Sequence, residues 1–178
     1  PFERGKDGVR RNLIGDLARR NQIFACYVNQ VGGQDALDFD GTSLVYGPDG
    51  SLIDEGERFS EDLLVVDLDL DRVSNIRSGS AWNGPSSAEL AAIGNASKLS
   101  LNRASSSTPE PAPSTEASPP AELLSEEAEV YRALVLGTRD YALKSGFKKA
   151  VIALSGGIDS TLTAVIAVDA LGAENVLC

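Results

Sequence analysis

Residues 148–172 read KKAVIALSGGIDSTLTAVIAVDALG. An apolar run rich in β-branched residues ends at Leu154, a Ser155-Gly156-Gly157 turn follows, and a second apolar run continues with helical spacing to Gly172. The pattern predicts strand, tight turn, helix. Such a turn presents free backbone N–H groups in front of a helix whose dipole favours negative charge, so its natural ligand is a phosphate. Neither glycine is followed by a lysine that could reach a β- or γ-phosphate, which sets the loop apart from those that serve terminal phosphoryl transfer.

Upstream of that stretch, Ser125 can cap a helix with Glu126 and Glu127 in its first turn, and Val130, Leu134 and Tyr141 mark an expected buried side that runs until Gly146. Residues 102–120, NRASSSTPEPAPSTEASPP, hold five of the eight prolines and too little apolar surface to offset ordering entropy, so a flexible linker is expected over 76–121. Trp82 is expected to anchor the approach to it on a domain surface. The chain thus divides into residues 1–75, linker 76–121 and residues 122–178.

In the first part, residues 5–21 place Val9, Leu13 and Leu17 four apart with Ile14 and Ala18 alongside, an apolar stripe on a basic helix. IFACYVNQ is a buried-strand run, and Cys26 within it is expected to be a packed core thiol, with no basic neighbour to lower its pKa. TSLVYGPDGSLIDEG predicts a hairpin about Gly-Pro-Asp-Gly, and EDLLVVDLDLDRV a further strand with alternating polarity from Asp67. Its acidic residues are expected to form a solvated face without a metal site.

Composition bounds the function. With 178 residues, 42% of them hydrophobic, the chain can build a real core, and its net charge of −10 argues against coating nucleic acid or an anionic membrane. No apolar run is long enough to span a bilayer, and two cysteines make no disulfide framework, so a cytoplasmic location is expected. The chain has no histidine, which excludes Ser-His, Cys-His and His-metal chemistry from it. It has no methionine, begins at Pro1 and stops after ENVLC, and is expected to be part of a longer protein.

LSGGIDS, residues 154–160, resembles the SGGxDS loop of N-type ATP pyrophosphatases, which cleave ATP between the α- and β-phosphates. That resemblance implies that Ala153, Leu154, Ser155, Gly156, Gly157, Ile158, Asp159 and Ser160 bind ATP and hold its pyrophosphate as a leaving group. Asp159, the single carboxylate of the loop, would bind Mg²⁺; its alternative role is to cap the following helix. FDGTSLVYGPDGSLIDEG resembles the F-x-G-x-S…P-x-G strand pair of nitrilase-type carbon–nitrogen hydrolases, matched by Phe39, Gly41, Ser43, Pro48 and Gly50. The two in succession resemble the glutamine-dependent NAD synthetases, and YVNQVGGQDALDFDG and YRALVLGTRDYALKSGF look like that family's sequences.

The resemblance implies an α/β chain: the C-terminal part of a nitrilase-type αββα sandwich, a linker, then the start of a Rossmann-like, parallel-sheet adenine nucleotide alpha hydrolase domain. It implies a ligase that adenylylates deamido-NAD with ATP and amidates it with ammonia from glutamine. The family's Cys, Glu and Lys catalytic triad would lie upstream of Pro1, leaving no catalytic residue of the glutaminase within the chain and making the chain by itself inactive. Lys6, in PFERGK, would meet the substrate glutamine. Expected partners are the small molecules glutamine, deamido-NAD and ATP, with the complete enzyme a homo-oligomer. The alternatives are a stand-alone amidase or nitrilase, or another pyrophosphatase amidotransferase.

Overall fold

Helix α1 (Lys6–Asn21) carries Asp7 in its first turn and Arg19 and Arg20 in its last, each suited to the helix dipole. Gln22 stops it in the left-handed region, and the N–H of Ile23 bonds back to the Ala18 carbonyl at 3.1 Å. In the computed structural model, which describes residues 1–79 and 124–178, α1 turns Arg10, Ile14, Gly15 and Ala18 inward. Ile14 and Ala18 of the expected stripe thus face inward, but Val9, Leu13 and Leu17 are exposed. The sheet decides this phase. At Gly15 an added Cβ would lie 3.0 Å from the Tyr46 ring, so helix and ring meet where there is no side chain.

That sheet is antiparallel in the order β1 (Ala25–Tyr27), β4 (Leu44–Tyr46), β5 (Leu52–Glu55). Ala25, Tyr27, Leu44 and Tyr46 share the face under α1 and pack with Ala18 and Ile14. The expected hairpin joins β4 to β5: the Gly47 N–H bonds to the Ser51 carbonyl at 2.8 Å, and Gly50 takes φ +81. A buried ion pair locks the helix to the chain beside the sheet. Arg10 Nη2 donates to both carboxylate oxygens of Asp40, at 3.0 and 3.1 Å, while Asn29 Nδ2 bonds Asp40 at 3.1 Å and the Gly41 carbonyl at 2.7 Å.

A second hairpin, β2 (Val31–Gln34) and β3 (Leu37–Asp40), turns through Asp35 at φ +52 and was not read from the pattern. The strand expected over EDLLVVDLDLDRV does not form: residues 61–69 pair with no strand among the described residues, and α2 (Asp71–Ser78) follows. A strand needs a partner edge to satisfy its backbone, and the local sequence offers helix initiation instead, with the Asp71 N–H on Asp69 Oδ1 at 3.1 Å.

The chain forms two compact units, Pro1–Leu64 with Ala117–Cys178, and Val65–Glu116, the second represented among the described residues by 65–79 and its helix α2. The 102–120 stretch and Trp82 lie outside the described residues. Within the first unit, α3 (Glu126–Lys144) begins as expected, with Ser125 Oγ accepting from the Ala128 N–H at 3.2 Å. Its buried side is Ala133, Leu136 and Ala142; Val130, Leu134 and Tyr141, expected inside, are exposed. Small residues win because α3 lies between α4 (Ile158–Leu171) and the β2–β3 hairpin, where a backbone-close contact excludes long side chains. An added Cβ at Gly33 would stand 3.0 Å from the Gly137 Cα. The Gly33 N–H donates to Asp140 Oδ2 at 2.8 Å, and Lys144 donates to the Gly33 carbonyl. Phe59, Ala133 and Leu136 form a core cluster there, with the Phe2 ring edge-on to Phe59 at 5.3 Å.

Beyond α3, β6 (Ala150–Val151) runs parallel to β7 (Val176–Leu177), with α4 and a 3₁₀ turn at Ala173–Asn175 between them. This β-α-β unit and the helix-covered antiparallel sheet are the two α/β architectures expected: the opening of a parallel-sheet nucleotide domain and the C-terminal part of an αββα sandwich. No helix among the described residues is long and apolar enough to cross a membrane.

Candidate functional site

The β6-to-α4 loop leads into a helix start whose first N–H groups have no partner within the helix. The Ile152 N–H still bonds the Leu177 carbonyl at 2.8 Å, so the strand's hydrogen bonding reaches the edge of the loop. From Ala153 to Asp159 every residue is exposed, with Ser160 half-buried beneath them. Gly156 reverses the chain at φ +81, a conformation costly for any residue with a Cβ. Gly157, at φ −86 and ψ 161, is the N-cap of α4 and makes no side-chain cap bond.

Hydroxyls set the shape of this loop. Ser160 Oγ accepts the Ser155 N–H at 3.3 Å, lies 3.2 Å from Ser155 Oγ and donates to the Gly157 carbonyl at 3.0 Å. Thr161 Oγ1 donates to the same carbonyl at 2.9 Å, and Thr163 Oγ1 to the Asp159 carbonyl at 2.9 Å. The two threonines were not singled out in the sequence, although hydroxyls just inside a helix start are a readable signal for such bonds. Held in this way, the N–H groups of Gly157, Ile158, Asp159 and Ser160 have no acceptor within the helix, and the helix dipole adds positive potential where they converge. The arrangement is a cradle for an anion with several oxygens.

Asp159 occupies the second position of α4, past the cap, so the alternative role of helix cap falls to Gly157. Its carboxylate is exposed beside the cradle. Among the described residues no three His, Cys, Asp or Glu side chains converge as a ready-made metal cage. The donor set fits Mg²⁺ in the way that ion is usually held, by one or two carboxylates completed by phosphate oxygens and water.

The other singled-out residues lie apart from this loop. Lys6 opens α1, 41% exposed in its side chain, with Nζ 3.7 Å from Glu3 Oε2. Cys26, expected in the core, is exposed: alternation along β1 sends Ala25 and Tyr27 toward α1, and Cys26 to the opposite face across from Val45. One titrating group emerged only in three dimensions. Burial and the neighbouring Asp140 carboxylate push the Asp38 carboxyl above its ordinary value.

Comparison with known proteins follows the same division of the chain. Residues 10–78 match the carbon–nitrogen hydrolase family and residues 130–178 the NAD synthase family. A glutamine-dependent NAD(+) synthetase of Thermotoga maritima is 39% identical over 183 residues, covering 99% of this chain and 29% of the relative. That of Aquifex aeolicus is 40% identical over 180 residues, 99% of this chain and 30% of its own length. A solved structure of glutamine-dependent NAD+ synthetase from Acinetobacter baumannii, in complex with adenosine diphosphate, superposes with a TM-score of 0.70 at 35% identity, covering 99% of this chain and 26% of that one. The chain thus spans a quarter to three tenths of the length of these relatives.

Proposed function

We propose that the chain, which is 39% identical to part of a glutamine-dependent NAD(+) synthetase, belongs to that family and takes part in ATP-dependent amidation of deamido-NAD with nitrogen from glutamine. The observation that carries this reading is the exposed N–H cradle at the start of α4, built without a lysine, in a chain whose other half is a hydrolase-type sheet. Such a cradle suits a leaving group better than a transferring one. The nicotinate carboxylate attacks the α-phosphorus of ATP and the bond to the β,γ-pyrophosphate breaks. Ammonia then attacks the acyl carbon, AMP departs and a proton is lost, giving the amide.

In this reading the backbone from Ala153 to Ser160 holds ATP, and the amides of Gly156, Gly157 and Ile158 take the charge that gathers on the departing pyrophosphate. Mg²⁺, held by Asp159 together with phosphate oxygens, would supply further charge neutralisation. Lys6 meets the glutamine that yields the ammonia. Residues 1–75 then belong to the glutaminase part, 76–121 to the connection and 122–178 to the ligase part. Full-length enzyme given ATP, deamido-NAD and glutamine should produce NAD, AMP, pyrophosphate and glutamate in equal amounts. Glutamine or nitrile hydrolysis indifferent to ATP, with no NAD formed, would select a stand-alone hydrolase instead.

A further inference from the structure

A cleft of about 340 Å³ lies at the far side of α3 from the β2–β3 hairpin's glycine contact, lined by Arg58, Ser60, Tyr131, Arg132, Arg139 and Asp169 among others. Three guanidinium groups gather at one small cleft, their charge matched by Glu129, Asp140 and Asp169. Their partners do not use up their donors. Arg58, only 8% exposed, gives Nη1 to Glu129, while its Nε is buried without an acceptor. Arg139 pairs through Nε with Asp140 Oδ1 at 3.2 Å, and its two terminal nitrogens have no acceptor among the described residues. Arg132 is exposed and has no ion-pair partner among the described residues. The single carboxylate on the cleft wall, Asp169, is occupied in accepting the Tyr131 hydroxyl.

We infer that this cleft is a second anion site, distinct from the α4 loop, that binds a phosphate group, free or as the monoester of a small carrier. Guanidinium forks match phosphate oxygens in geometry as well as charge. The volume is at the small end of ligand pockets, which admits a phosphate with a pentose-sized carrier and not a dinucleotide. Asp169 lies ten residues along α4 from Asp159, about 15 Å by helix rise, so the two sites are separate. The anion held here therefore does not react at the loop. It bridges α3, α4 and the segment at Arg58–Ser60, and its binding stiffens the packing of the hairpin part on the nucleotide-binding part.

The test titrates inorganic phosphate calorimetrically, at constant ionic strength, into the full-length enzyme and its variants, each first saturated with ATP so that the α4 loop is already filled. One saturable site is expected that Asp159→Asn leaves unchanged. Arg132→Gln and Arg139→Gln should each weaken it about tenfold or more, the loss of one charge-assisted contact. Arg132→Lys, which keeps the charge and loses the fork, should fall between wild type and Arg132→Gln and guards against a folding artefact. Ribose 5-phosphate in a parallel titration supports the site in either order of affinity and decides the carrier: tighter binding assigns the ester, weaker binding free phosphate. Absence of saturable binding, persistence of it in the Arg132→Gln/Arg139→Gln double variant, or its loss in Asp159→Asn overturns the inference.

Discussion

Replacing Asp159 by Asn separates the two roles a carboxylate can have at a helix start. The residue is exposed, sits one position inside the first turn of α4, and leaves the cap to the Gly157 backbone. Its structural contribution is therefore limited to the favourable charge on the helix dipole, about 0.3–1 kcal/mol at an exposed site. Asn keeps the shape and loses that term. A Mg²⁺ site built on one protein carboxylate loses far more, since charge stabilisation at a departing group is worth on the order of 10²-fold or more in rate. In full-length enzyme, urea unfolding should then move by less than about 1 kcal/mol, basal glutamine hydrolysis should be unchanged, and pyrophosphate release from ATP and deamido-NAD should fall by about two orders of magnitude. All three are measured on one preparation. Near-normal pyrophosphate release would refute the metal assignment, and a stability loss above about 2 kcal/mol would show that the carboxylate has a structural role beyond the helix dipole.

Gly156→Ala must hold a Cβ at φ +81 and should lose about 1–2 kcal/mol locally, whereas Gly157→Ala, with φ −86 and its new Cβ 3.5 Å from Ser155 Oγ, should fold and lose no more than about 1 kcal/mol for the poorer cap. Both should lose pyrophosphate release if those amides wrap the phosphates; full activity in Gly157→Ala would place the phosphates elsewhere. Lys6→Ala should impair glutamine-supported NAD formation and spare ammonia-supported formation, and equal losses with both donors would point to folding. The raised Asp38 carboxyl disfavours its charged form in the folded chain, so the stability present below the ordinary carboxylate range is lost as pH rises through the raised value. Asp38→Asn removes that loss: it should be more stable than wild type near neutral pH and lose the advantage in acid, and a stability difference independent of pH would rule the titration out.

Local chemistry was legible in the sequence wherever one residue type answers one backbone requirement. Ser125 reads as a cap because a hydroxyl can take an N–H three residues on; the Gly-Pro-Asp-Gly turn and the Gly156 reversal read from conformations that few other residues reach. The β2–β3 hairpin escaped because its two-residue turn uses Asp35 and its strand carries Gly32 and Gly33, which suppress strand propensity but are needed where α3 approaches.

Which face of a helix is buried was decided only by the tertiary structure. In α1 the stripe through Val9, Leu13 and Leu17 and the face through Arg10, Ile14 and Ala18 are one residue out of phase, and only the Tyr46 ring and the Asp40 carboxylate select the second. In α3 the same holds for Leu134 against Ala133, selected by Gly33 and the alanines of α4. The strand expected over residues 61–69 fails for a related reason: alternation is a property of the segment, while pairing requires an edge that another part of the chain must provide. The sequence by itself determined where the proposed phosphate-binding loop lies and which donors it offers, because that candidate site is made of consecutive backbone amides. The arginine cleft needed the fold, because Arg58 and Arg132 come together across 74 residues of chain through packing alone.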